Sequence, residues 1–289
     1  MNRNIYMNLR NKEYSQSIET IFPDWENGRE RVAVFGAHDD DPLLGAGYAM
    51  SAAADNGAEL YAVIFCRGDC GYSTPDQKDS IVETRRVENE NAFVKFGVPK
   101  ENITRFEYPD FSLRRFAGNK LEGGEDGTCL KIIDFIRSNK ITRVLIPNGY
   151  REHFDHTAAY EMAVYDIIQA GDPVVGDIGA PQKVKTTLQY SVWADFSPED
   201  AIVNREKDFA IRANRAILCP QAVETRIFEA VSEYKSQAQI IKNLMHSRKE
   251  RNTGQGWLEL YIELDPRPKL DFLPYVKLVR EMLKDVQLT

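Results

Sequence analysis

The chain has 289 residues, 43% hydrophobic and 28% charged, which is ordinary for a soluble fold and enough for a single large α/β domain. Its net charge of −7 offers no basic footprint for nucleic acid and argues against docking on an anionic membrane. No apolar run reaches the ~18–20 residues that span a bilayer, and residues 1–12 are polar without a signal-peptide core, so the expected location is cytoplasmic.

In chain order, residues 32–37 read as a buried strand, 44–56 as a small-residue helix ending at Gly57, and 59–65 as a second strand. A charged helix over 80–96 closes at Gly97, with Pro99 just beyond. A strand at 103–108, a helix at 128–138, a strand at 143–147 and a helix at 157–170 closed by Gly171 follow. This alternation predicts an α/β fold with a mainly parallel sheet and helices on both faces, joined by right-handed crossovers. Ligands in such sheets bind beyond the C-terminal ends of the strands.

The second half is less regular. Residues 187–192 are strand-like. Ile227, Val231, Tyr234, Ala238, Ile241 and Met245 form a helical stripe that predicts one long helix packed on the core. Residues 257–264 predict a late strand at a sheet edge, and 272–286 a terminal helix opened by Pro274. The glycine-rich stretch 118–127 is a candidate active-site lid, and 171–179 is a further loop. Cys66, Cys70, Cys129 and Cys219 match no zinc-finger or redox spacing and are expected to be reduced thiols, with a second metal site at Cys66 and Cys70 the minor alternative.

Three of the four histidines sit in two acidic motifs. Ala37-His38-Asp39-Asp40-Asp41 follows the first strand, and His153-Phe154-Asp155-His156 follows the strand at 143–147. Taken alone, the aspartate run reads as a helix cap before Pro42, and either histidine as a hydrogen-bonded structural residue. Taken together, at two βα junctions, they predict one metal site. His38, Asp41 and His156 form a two-histidine, one-carboxylate set that suits Zn²⁺ with an open position for water. Asp40 is then free to act as general base, and His153 to protonate a leaving amine or hold an oxyanion. Asp155 lies between the two histidines and can orient an imidazole. His246 reads as a surface residue. On the charged helix, Arg85, Glu88, Ala92 and Phe96 share one face. That face either points toward a polar site or carries an exposed ion pair, with Arg86 the alternative inward residue. Gly68-Asp69-Cys70-Gly71 is a pocket-lining loop or a plain glycine turn.

Ala37-His38-Asp39-Asp40-Asp41-Pro42-Leu43-Leu44-Gly45 resembles the Ala-His-Pro-Asp-Asp-Glu-x-x-Gly signature of the PIG-L-type (LmbE-like) zinc N-deacetylases, and His153-Phe154-Asp155-His156 resembles their His-Pro-Asp-His motif. Lesser matches are Gly68-Asp69-Cys70-Gly71, Arg85 with Glu88 and Ala92, Tyr108-Pro109-Asp110 and Ser236-Gln237. The resemblance runs from about 31 to 237, with 238–289 as a C-terminal extension of one domain. It implies a Rossmann-like fold, and removal of an N-acyl group, commonly acetyl, from an N-acetylglucosamine unit or its conjugate. It implies zinc (Fe²⁺ or another divalent ion being the alternatives) on His38, Asp41 and His156. It makes Asp40 the base, His153 the acid or oxyanion partner and Asp155 its supporting group. It places Arg85 and Asp110 at substrate-touching positions. Asp39 departs from the family proline and Pro42 from the glutamate, so an extra carboxylate is expected near the metal, raising neighbouring pKa values. The stretch 198–222 looks longer than in the family, and Tyr150 is one position off a tyrosine some members use.

The leading expectation is therefore a metal-dependent N-deacetylase whose partner is a small N-acylated sugar or conjugate, with self-association as a homo-oligomer left open. An amidase on a larger amide is the alternative within the same chemistry. A catalytically silent metal- or sugar-binding protein is the alternative from another class. A nucleotide-binding oxidoreductase is disfavoured because no Gly-x-Gly-x-x-Gly follows the first strand.

Overall fold

The computed structural model describes residues 3–265 and 267–284. Its strands are β1 (Ile5–Asn8), β2 (Glu13–Ser15), β3 (Arg31–Gly36), β4 (Glu59–Cys66), β5 (Ile103–Tyr108), β6 (Arg143–Pro147), β7 (Thr186–Tyr190), β8 (Arg215–Cys219) and β9 (Trp257–Leu264). Its α-helices are α1 (Asp41–Asp55), α2 (Ile81–Phe96), α3 (Thr128–Ser138), α4 (Phe154–Ala170), α5 (Pro198–Val203), α6 (Gln221–Val231), α7 (Ala238–Ser247) and α8 (Leu273–Met282). The strands form one sheet in the order β2-β1-β8-β9-β7-β6-β3-β4-β5.

Only the half β7-β6-β3-β4-β5 is parallel; β9, β8, β1 and β2 extend it with antiparallel pairings. The expectation of a mainly parallel sheet thus holds for the βα-repeating half alone. In β3, Val32 and Val34 pack into one apolar cluster with α1, α2 and α6, while Ala33 and Phe35 pack into another with α3 and α4. Alternate residues of one strand feed two cores, so helices must cover both faces. From β3 the chain runs outward through β4 and β5, then returns to place β6 on the other side of β3. The C-terminal ends of β3 and β6 therefore flank a topological switch point, where such sheets hold ligands.

Two expectations for the second half are corrected. The stripe from Ile227 to Met245 is two helices, α6 and α7, with a 3₁₀ turn at Lys235–Gln237 between them. The break puts the stripe out of register, so Ala238 is exposed while Tyr234 and Ile241 remain buried. The late strand β9 is interior to the sheet, between β7 and β8, because β8 and the N-terminal β1 and β2 extend the sheet beyond it. Neither β1, β2 nor β8 was expected. Of the predicted terminal helix over 272–286, Leu273–Met282 is helical, and 285–286 lie outside the described residues. The stretch 118–127 is a tight turn closed by an antiparallel bridge between Lys120 and Asp126. Among the described residues no helix is long and apolar enough to cross a membrane.

A buried polar network fixes α1 against β9. Tyr48 and Ala49 N–H donate to Glu259 (2.8 Å) and the Tyr261 hydroxyl (3.0 Å), while the Leu44 carbonyl accepts from Arg248 and Arg251. Glu224 completes the network, accepting from Arg248 Nε (3.0 Å) and Tyr48 (2.7 Å). Since α1 begins at Asp41, this network sets where that carboxylate stands.

At the opposite end of the sheet, Glu30 and Arg143 form a buried ion pair (3.1 Å). Burial pushes the Glu30 carboxyl up, but hydrogen bonds from Arg143, Thr142 and the Glu26 N–H outweigh it and hold the group at about 2, below its usual 4.5. A depressed carboxylate stabilises the fold above its unfolded pKa and loses that contribution as pH falls through the folded one. Unfolding free energy from urea titrations should therefore fall between pH 4.5 and about 2. A Glu30→Gln chain should lack that component of the acid limb; an unchanged limb would show the pair to be silent.

Candidate metal centre

His38 leaves β3 through a turn that only glycine permits. A Cβ on Gly36 would stand 2.7 Å from the Pro42 ring and 2.8 Å from the His38 carbonyl. The turn closes when His38 N–H donates to Asp41 Oδ2 (2.7 Å). His156 comes from the first turn of α4, after β6, and His153 is that helix's N-cap. The helix begins three residues earlier than the sequence predicted, so its first turn carries Asp155 and His156.

Ligand atoms of His38, Asp41 and His156 lie within 4.8 Å of one another. Asp41 Oδ2 is 3.5 Å from His38 Nδ1 and 3.1 Å from His156 Nε2. The remaining nitrogen of each imidazole faces a second carboxylate: His38 Nε2 is 3.3 Å from Asp155, and His156 Nδ1 is 2.6 Å from Glu152. His156 Nε2 itself is buried and has no hydrogen-bond partner. An unpaired buried ring nitrogen beside a carboxylate, with the other nitrogen carboxylate-bound, is what a metal-ligating histidine presents. The residues present fit a divalent cation. His38 also groups with His153 and Asp155, and with Cys66 and Asp110, within the same limit.

Charge in this pocket is compact. Burial opposes ionisation of Asp41, but the positive charge of His156 and His38 keeps its carboxyl far below the usual range. Burial likewise disfavours imidazolium, yet bonding to Asp155 and Asp41 raises His38 well above its ordinary value, and the charge of Asp41 raises His156 to about 9. A divalent ion would have to displace these protons.

Asp40 is the N-cap residue of α1, with its side chain 13% exposed. Burial raises its pKa, and the Arg85 guanidinium, 3.3 Å away, partly offsets this. Asp39 does not face the metal ligands as expected of an extra carboxylate. It turns the other way, fully buried, accepting from Arg85 Nε (2.9 Å) and from Arg105. Its carbonyl accepts from the Tyr234 hydroxyl (2.6 Å). Arg85 is the inward residue of α2, whereas Arg86 is exposed and pairs with Glu83. Arg85 faces Asp39 and Asp40 from within the protein, 3% exposed. Glu88, on the same face, accepts from Ser236 N–H (2.8 Å) and Oγ (2.6 Å), tying α2 to the break between α6 and α7.

His153 Nδ1 accepts the Asp155 N–H (3.1 Å), which leaves Nε2 as the donor of a neutral ring. Burial, then the charge of His38, lower its pKa. Asp155 hydrogen-bonds His38 and the N–H groups of Phe111 (2.7 Å) and Leu113 (3.3 Å); it stands 3.7 Å from His153. The charge of Asp155 does favour protonated His153, but burial and the charge of His38 outweigh it. Asp110 accepts from the N–H of Gly68 (2.9 Å) and Cys70 (3.0 Å), holding that loop beside the site. Burial pushes the Cys66 thiol pKa up, so it stays protonated. His246 is exposed. Tyr150 is anchored through its backbone to Asn148. Glu152, Trp193 and Phe111 were not singled out in the sequence. For Glu152 a signal existed: it stands four residues before His156, one helical turn away. Trp193 stacks on His156 (5.7 Å, 17°) and Phe111 packs on His153 (4.5 Å), both with exposed faces.

Residues 33–167 match the model of the family described as GlcNAc-PI de-N-acetylase, PIG-L. This segment resembles that family. None of the curated proteins matches the chain. Solved structures share the fold. N,N'-diacetylchitobiose deacetylase from Pyrococcus horikoshii is 17% identical with a TM-score of 0.63, over 82% of this chain and 84% of that one. GalB, the 4-carboxy-2-hydroxymuconate hydratase of Pseudomonas putida KT2440, is 16% identical with a TM-score of 0.62, over 84% and 99%. The zinc-inhibited form of teicoplanin deacetylase Orf2 is 17% identical with a TM-score of 0.52, over 81% and 99%. A hydratase among deacetylases means that this fold alone does not decide the reaction. The matched segment spans β3 to most of α4, and so includes both His/Asp motifs.

If the ligand set is right, His156→Ala should lose nearly all bound metal by elemental analysis, while His153→Ala keeps it. Equal loss from both would mean that the two histidines are wrongly assigned.

Proposed function

We propose that the protein is a divalent-metal-dependent N-deacetylase acting on an N-acylated, most simply N-acetylated, amino sugar or its conjugate. The observation that carries this reading is the buried, unpaired His156 Nε2 beside Asp41 and His38, next to a largely enclosed Asp40. The PIG-L match and the deacetylases that share the fold support it. His38, Asp41 and His156 would hold Zn²⁺, Fe²⁺ or a related ion. When bound, such an ion supplies Lewis acidity toward a water and an amide carbonyl.

The remaining work falls to side chains. Asp40, raised by burial, takes a proton from the attacking water. Arg85 holds the Asp40 carboxylate from the protein side and keeps it directed outward. His153, whose Nδ1 is engaged, offers Nε2–H to the oxygen that gains charge as the acyl carbon becomes tetrahedral. The proton taken up by Asp40 can then pass to the departing amine. Exposed faces of Phe111 and Trp193 flank the mouth and suit the apolar face of a sugar ring.

The test is amine release from a panel of N-acetylated amino sugars and their conjugates, with Zn²⁺ or Fe²⁺ supplied. Release from a longer N-acyl amide alone would shift the reading to the amidase. Metal uptake without any hydrolysis would leave a metal-binding protein and overturn the enzyme reading.

A further inference from the structure

We propose that Glu152 is a positioning residue that holds His156 ready as a metal ligand and ties it to the loop 191–194; this rests on the metal reading above. The Glu152 side chain is fully buried between the two. Its Oε2 lies 2.6 Å from His156 Nδ1. Its Oε1 accepts the successive N–H groups of Val192 (2.9 Å), Trp193 (3.2 Å) and Ala194 (3.1 Å), and the Ser191 hydroxyl (2.9 Å). A row of N–H groups converging on one oxygen is an anion-binding concavity. Here the anion is supplied by the chain itself.

The chemistry demands a carboxylate. Donors approach from both sides, so both oxygens must accept. A glutamine has one accepting end and one donating end. If its oxygen stays in the N–H row, its NH₂ faces His156 Nδ1, which must then give up its proton. That forces the neutral-ring proton onto Nε2, the tautomer that cannot ligate. If the amide turns round, the N–H row loses its acceptor. Glu152 therefore sets which nitrogen of His156 is free.

The loop is the second half of the device. It leaves β7, the parallel neighbour of β6, at the same end of the sheet as the metal ligands. It carries Trp193, whose ring stacks on His156 and is 52% exposed. One side chain thus links a metal ligand to the aromatic wall of the site mouth, and metal binding should be felt at Trp193.

The experiment measures Zn²⁺ affinity by chelator competition for the parent chain, E152Q, E152A and H156A, with folding checked by circular dichroism. Carboxylates hydrogen-bonded to a metal-ligating histidine commonly contribute ~10–100-fold in metal affinity, so E152Q should bind Zn²⁺ weaker by roughly that factor. In a W25F/W257F background, Trp193 is the sole tryptophan, and its emission should shift on adding Zn²⁺ and shift much less in E152Q. A folded E152Q that binds Zn²⁺ within about twofold of the parent overturns the proposal. Should E152Q fail to fold, a Trp193 emission in the parent that ignores Zn²⁺ binding overturns it instead. A parent chain that takes up no Zn²⁺ overturns the metal reading, and this proposal with it.

Discussion

Asp40→Asn should keep its metal and lose hydrolysis by ~10²–10⁴-fold, the usual cost of removing a general base. The residue stands at the N-cap position of α1 beside Asp41 but is not needed to complete the set of His38, Asp41 and His156. Burial raises its pKa toward the range in which a base can both take and return a proton, while Arg85 limits the rise. Asparagine retains the shape and an acceptor for Arg85 but cannot accept the proton. The measurement is kcat on a confirmed N-acyl substrate together with metal content on the same sample. Near-normal turnover with full metal would remove Asp40 from the mechanism. Asp39 could not replace it as base, because both its oxygens are engaged by arginines away from the metal ligands.

Asp39→Ala should destabilise the fold by ~3–5 kcal/mol, the range for removing one partner of a buried ion pair. Asp39 is fully buried between Arg85 and Arg105, whose side chains are only 4% and 8% exposed. Its loss leaves two guanidinium groups with reduced compensation in a poorly hydrated site. Arg85 would then rest on Asp40 alone, and the stronger pairing should lower the Asp40 pKa. Chemical denaturation would read the first effect, and the acid limb of the pH–rate profile would read the second by moving to lower pH. A loss below about 1 kcal/mol would place the pair in the class of weak surface bridges.

Sequence and tertiary structure contributed differently. The alternation of strands and helices from Arg31 to Ala170 was legible because each element carries its own signal: an apolar run, a helical face, a glycine stop. The two His/Asp motifs were legible for a related reason. Short side chains at the ends of adjacent strands need only the sheet to bring them together, and β3 and β6 are neighbours.

What the sequence left open depends on contacts between distant residues. Nothing around position 39 says that its carboxylate will meet Arg85 and Arg105 rather than the metal ligands; that follows from where α2 and β5 pack. The spacing of Glu152 to His156 is visible in the sequence, but its second set of partners exists only once β7 delivers the N–H row of 192–194 to it. The stripe over α6 and α7 has helical spacing throughout, yet Glu88 captures Ser236 and the helix breaks. Trp257–Leu264 resembles an edge strand in isolation and becomes interior only because β8 and the N-terminal strands pair beyond it. Local periodicity determined which elements form and placed the two motifs at strand ends. The partners of buried charges were decided by the tertiary structure, because a charge in the interior must be compensated by whichever opposite group the packing brings within reach.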